Sequence, residues 1–140
     1  MTDPHANPHN LTALVTLLAL LLYMFMVMRT GGARAKSGLK APAVAGDQTF
    51  ERNYRVQMNT LESLPVFLVA LWFFSFSWGE LIASAIGVVW IGARAFYMVS
   101  YVNDPEKRGV GFGLSGLALV ALVIGSLIGV VMALVRGGWM

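Results

Sequence analysis

"FERNYRVQMNTLESLPVFLVALWFFSFSW", Phe50 to Trp78, changes character halfway along. Its first part carries Glu51, Arg52, Arg55, Asn59 and Glu62, and no charged residue follows Glu62. About 20 residues of helix cross a bilayer core of about 30 Å, so the apolar run from Leu61 suffices only if the helix starts early, near Glu51. Reading the stretch as a helix turns scattered polar residues into a stripe. At roughly 100° per residue, Arg55, Asn59 and Glu62 fall within about 60° of one another, with Arg52 to one side and Gln57 facing away. A membrane helix that opens on so much polarity needs a reason for it.

Three other apolar stretches flank this one, Leu11 to Met28, Leu81 to about Val102 with the single charge Arg94, and Val110 to Val135. Over all 140 residues, 57% are hydrophobic and 12% charged, against about 25% charged in a soluble domain. So short a chain cannot hide that much apolar surface in its own core, which makes lipid its solvent. The runs are long and do not alternate in polarity, so helices are expected rather than strands. The expectation is an all-α, four-helix integral membrane bundle in one domain, 1–140, with spans at about 11–29, 51–78, 81–103 and 110–135.

Several chemistries drop out. With no cysteine, a disulfide, a thiolate metal site and a cysteine nucleophile are excluded, so any thiol must arrive with a substrate. His5 and His9 with Asp3 read as solvated tail residues rather than a metal site. The net charge of +3 forms no patch suited to nucleic acid. The first ten residues contain no Lys or Arg, so the run from Leu11 reads as a retained span and not a cleaved signal. The Met residues read as packing, and Trp139 as an interface anchor.

Charge placement orients the chain. Arg29, Arg34, Lys36 and Lys40 load the first connection, 29–49, which reads as a long flexible loop, and Lys107 and Arg108 load the third. The positive-inside rule puts both connections in the cytoplasm and both termini outside, in the inner membrane if the cell is bacterial. The polar start of the second span then meets the polar end of the third, where Arg94, Tyr97 and Tyr101 share one face. Arg108 joins that face only if the helix runs on past Pro105, which breaks an interior hydrogen bond. In the fourth span, Gly125 and Gly129 have small-xxx-small spacing, for which ordinary interior packing suffices.

Bland roles exist for some of these residues. Glu51, Arg52 and Arg108 could snorkel, Tyr101 could anchor at the interface, and Glu62 could pair with Arg55 or Arg94 for structure alone. Yet Asn59, Glu62 and Arg94 sit inside the hydrocarbon boundary, where a charge costs about 2.5–3.5 kcal/mol on insertion scales. The two stripes together suit a small zwitterionic ligand with several carboxylates and an amine.

The segments "FERNYRVQMNTLESLPVFL" and "ARAFYMVSYVNDPEKRGVGF" carry E-R-x-x-R-x-x-x-N-x-x-E and R-x-x-Y-x-x-x-Y, and they resemble the MAPEG family, the membrane-associated proteins of eicosanoid and glutathione metabolism. The resemblance covers nearly the whole chain. It implies a homotrimer in the lipid bilayer that binds glutathione between neighbouring subunits near the cytoplasmic face. In the family's glutathione-conjugating synthases the matching ligand contacts are Arg55, Asn59, Glu62, Arg94, Tyr97 and Tyr101. Gln57 matches a contact to the ligand of the adjacent subunit, and Arg34, with Arg29 as its competitor, a contact from the first loop. Arg108 matches the arginine that faces the glutathione sulfur, although Asp104 and Glu106 stand near enough in sequence to pair with it.

That resemblance implies a glutathione transferase that uses glutathione as co-substrate, needs no metal and attacks apolar electrophiles, with room for peroxidase activity on lipid hydroperoxides. The alternative within the family is a non-catalytic trimeric binding or scaffold protein. A small proton-coupled exporter fits the length but calls for an acid deep in a span, and Glu62 lies near the edge.

Overall fold

The computed structural model describes residues 9–138, so the tail residues Asp3 and His5, and Trp139, lie outside the described residues. Among the described residues there are four long helices, α1 (Asn10–Ser37), α2 (Gln48–Trp78), α3 (Glu80–Asn103) and α4 (Gly109–Val135), with a short 3-10 turn (Pro105–Arg108) leading into α4. All four are long and apolar enough to cross a membrane. The α2–α3 pair is central, and α1 and α4 each pack against both of its members.

The connections follow from local chemistry. Asp47 caps α2 by accepting the Phe50 N–H at 2.7 Å, and Glu51 reaches back to the Gly46 N–H at 2.9 Å. The first satisfies an N–H of the opening turn that the helix itself leaves unpaired, and the second ties the preceding loop to that turn. Replacing Asp47 by alanine is expected to cost about 1 kcal/mol, read as a lower midpoint of thermal unfolding in detergent. Between α2 and α3 stands Gly79 alone, at φ 96°, a conformation that glycine adopts without a Cβ penalty.

The first connection departs from expectation. Helix α1 continues through Arg29, Arg34 and Lys36 to a left-handed Gly38, leaving a loop of residues 38–47 only. The pair Gly31-Gly32 does not end it, and the basic last turn suits the helix dipole.

Because lipid tails are as apolar as leucine, helices in a bilayer are held by close packing and by hydrogen bonds between them. The main core supplies the first, with Phe67 stacked on Trp90 at 4.0 Å between centroids and Val15, Leu71, Ala83 and Leu122 around them. The second comes from Thr12 with Ser75 (2.7 Å), Trp72 to Thr16 (3.0 Å), Ser126 to the Ala70 carbonyl (2.9 Å) and Trp78 to the Gly125 carbonyl (2.8 Å). Gly125 and Gly129 pack inside the chain, where a Cβ would run into Phe74 and Ser77 of α2.

Candidate functional site

Helices α2 and α3 run antiparallel, so the start of one lies beside the end of the other. Arg52 marks this junction, donating from Nη1 to the Val102 carbonyl at 3.1 Å and capping the end of α3. The polar residues at the head of α2 thus divide into two groups. Glu51 and Arg52 secure helix ends, whereas Arg55, Asn59 and Glu62, further along, line a cavity.

That cavity has a volume of about 850 Å³. It collects Arg55, Asn59 and Glu62 from α2, Arg94, Tyr97 and Tyr101 from α3, and Arg108 from the 3-10 turn. Asn59 donates from Nδ2 to the Tyr97 hydroxyl at 2.7 Å, joining the two stripes directly. Tyr97 is buried, so this bond fixes where its hydroxyl stands. Tyr101 is half-buried, and Arg55, Glu62 and Arg108 are exposed at the mouth.

Arg94 is only 3% exposed. Its guanidinium lies over the rings of Trp90, Tyr97 and Phe112, 5.4–5.8 Å from their centroids, an aromatic enclosure that favours a cation. No carboxylate closes on its Nε or Nη1, neither of which has a hydrogen-bond partner among the described residues. A buried donor without a partner loses its hydration uncompensated, so these N–H groups are set for an acceptor supplied from the cavity.

Arg108 reaches the cavity by a route other than a continued helix. Helix α3 stops at Asn103, Asp104 is extended at φ −152°, and Pro105 opens the turn. Asp104 is engaged as the cap of that turn, accepting the Glu106 N–H at 3.1 Å. Arg108 is itself the residue that precedes α4, where the positive end of the helix dipole has the same sign as its guanidinium.

Two expected contacts lie elsewhere. Arg34 donates from Nη1 to the Ala43 carbonyl at 2.8 Å and lies over the Phe50 ring, while Gln57, half-buried, does not line this chain's cavity. Five lining residues had escaped the sequence reading: Ser63, Val66, Phe112, Gly116 and Leu119. Ser63 and Val66 extend the α2 stripe by a turn. The other three have the i, i+4, i+7 spacing of one α4 face, which is legible only once that face has a neighbour. Among the described residues, no cluster of three or more His, Asp or Glu side chains is placed to hold a metal ion.

Comparison with known proteins places the chain in a family. Residues 12–128 match the model of the MAPEG family. Microsomal glutathione S-transferase 2 of Mus musculus is 38% identical over 125 residues, covering 89% of this chain and 85% of that protein. Leukotriene C4 synthase of Bos taurus is 34% identical over 113 residues, 81% of this chain and 75% of that one. An uncharacterized Synechocystis protein is 45% identical over 118 residues, covering 84% and 86%.

Proposed function

Since the chain belongs to the MAPEG family of integral membrane proteins, whose members matched above include glutathione transferases, we propose that it is a glutathione transferase that holds the glutathione thiol as thiolate for attack on apolar electrophiles. The observation that carries this reading is the make-up of the cavity of about 850 Å³. Three guanidiniums, Arg55, Arg94 and Arg108, face one carboxylate, Glu62, leaving a surplus of two positive charges. Glutathione with its thiol protonated bears one net negative charge, and as the thiolate it bears two. The charge of the cavity therefore matches the thiolate form, and an opposite charge nearby lowers an acid's pKa.

The roles follow from chemistry and position. Glu62 takes the ligand's ammonium. Arg55 and Arg94 take its carboxylates or peptide carbonyls, which gives the unpartnered N–H groups of Arg94 their acceptor. Tyr97, held by Asn59, and Tyr101 donate hydrogen bonds, and Arg108 faces the sulfur. The electrophile arrives from the bilayer, and the sulfur attacks it by addition or substitution, with no covalent enzyme intermediate. Lipid hydroperoxides are a second class that a thiolate in this position would attack.

A homotrimer accounts for what one chain leaves open. Arg55 and Glu62 are exposed on a helix long enough to span the membrane, where each charge facing hydrocarbon would cost about 2.5–3.5 kcal/mol. A neighbouring copy across the mouth of the cavity removes them from lipid, and brings Arg34 and Gln57 toward a ligand that is not their own chain's. The basic residues Arg29, Arg34 and Lys36 at the end of α1, Lys40 in the loop after it, and Lys107 and Arg108 in the third connection favour a cytoplasmic side for this end of the bundle.

Titrating glutathione into the purified protein in detergent tests the reading. A saturable ultraviolet thiolate band is expected at neutral pH. Glu62→Gln is expected to raise the glutathione Kd about tenfold, as loss of a charged hydrogen bond does, measured by calorimetry. Binding without thiolate would leave the non-catalytic member of the same fold as the better reading.

A further inference from the structure

Three aromatic rings enclose the Arg94 guanidinium, and they are not held alike. Trp90 is fully buried and stacked on Phe67 at 4.0 Å between centroids, so the core fixes it. Tyr97 is buried and takes the Asn59 hydrogen bond at 2.7 Å. Phe112 comes from another helix, in the first turn of α4, and is 53% exposed. It reaches the enclosure because α4 crosses α3 at Gly111, where a Cβ would meet the Tyr97 backbone. The next side chain then emerges beside α3, its ring centroid 6.0 Å from that of Tyr97 and 5.8 Å from the Arg94 Cζ.

We propose that Phe112 is a positioning residue for glutathione, its ring face closing the enclosure that holds Arg94 as a cation with donors left for the ligand. This rests on reading the cavity of about 850 Å³ as the glutathione site. The first support is what holds Arg94. It is buried, yet its Nε and Nη1 have no hydrogen-bond partner among the described residues. A carboxylate would fix a guanidinium by consuming such donors and cancelling the charge. A ring face attracts the cation through its quadrupole and leaves both the in-plane donors and the charge intact. The second support is place. Residues four apart on a helix share a face, and Arg108 already has helical backbone at φ −64°, ψ −22°, so Phe112 stands one turn beyond it. The ring that holds Arg94 is thus mounted with Arg108, and the approach of α4 to α3 sets how the two guanidiniums are spaced in the cavity they share.

The test keeps the shape of the side chain and changes its electrons. In the full-length protein in detergent, Phe112 is replaced by its mono-, di- and trifluorinated analogues through an expanded genetic code, and separately by leucine in Phe112→Leu. Fluorine draws electron density from the ring face and weakens its attraction for a cation in steps. Calorimetry reads the Kd for glutathione. It is expected to rise with each added fluorine, reaching about fivefold with the trifluorinated ring and about the same in Phe112→Leu, the scale of one partly exposed cation–π contact. Arg108 is untouched, so each glutathione that binds should still give the thiolate band.

A Kd that stays level or falls through the fluorinated series would overturn the proposal and leave the glutathione reading standing. If Phe112→Leu alone raised it, Phe112 would be a steric wall and not a holder of the cation. A wild-type protein that binds no glutathione would sink the glutathione reading, and this inference with it.

Discussion

Replacing Arg108 by alanine is expected to lower kcat/KM at neutral pH about 100- to 1,000-fold, the usual effect of removing one group that stabilises a developing or resident anion. A free cysteine thiol has a pKa near 8.5 and is only a few per cent thiolate at neutral pH. Each unit by which the site lowers that value corresponds to about 1.4 kcal/mol, and arginine supplies it without losing its own proton. The sign gives a second readout. In wild type the thiolate is expected to be formed already at neutral pH, which would leave kcat/KM flat from there upward. Without Arg108 the thiol pKa rises toward its ordinary value, and the rate should climb with pH through the alkaline range. Arg55, Asn59 and Glu62 remain, so glutathione should still bind in the calorimeter while the thiolate band disappears. A band that survives in the variant would shift the sulfur to another cation of the cavity, of which Arg94 is the buried one.

The second large effect concerns packing. Helix α4 crosses α3 at Gly111, where a Cβ would come within 2.7 Å of the Tyr97 nitrogen and 2.8 Å of its Cα. Those are backbone atoms, which cannot swing aside as the end of a side chain can. Gly111→Val must therefore push the helices apart, and is expected to cost roughly 3 kcal/mol, the upper range of overpacking. The cost falls on function as well, because Tyr97 carries the Asn59 bond that joins the two stripes. The unfolding midpoint in detergent should drop and glutathione binding weaken together. Gly113, two residues on, meets nothing within 4 Å, so Gly113→Ala serves as the control. Alanine there should be neutral or slightly stabilising, since it is the better helix former. Equal midpoints for the two variants would mean that α4 does not approach α3 at Gly111.

The sequence by itself determined the helices and the two stripes. Apolar runs of membrane length admit only one backbone solution, because every N–H and C=O in lipid must be satisfied within its own segment. The helical period then assigns Arg55, Asn59 and Glu62 to one face, and Arg94, Tyr97 and Tyr101 to another, with no knowledge of the neighbours. Even so, α1 ran past its charged end to Ser37, since the stop there is set by Gly38 and not by hydropathy. Only the tertiary structure decided what the stripes do. It separated Glu51 and Arg52, which hold helix ends, from the residues that line the cavity. It returned Arg108 to the site through a turn that no helical period anticipates, and chose which face of α4 supplies Phe112, Gly116 and Leu119. The physical reason is that the first set of features depends on residues a turn or two apart. The second depends on how whole helices approach, which small residues such as Gly111 fix between segments distant in sequence.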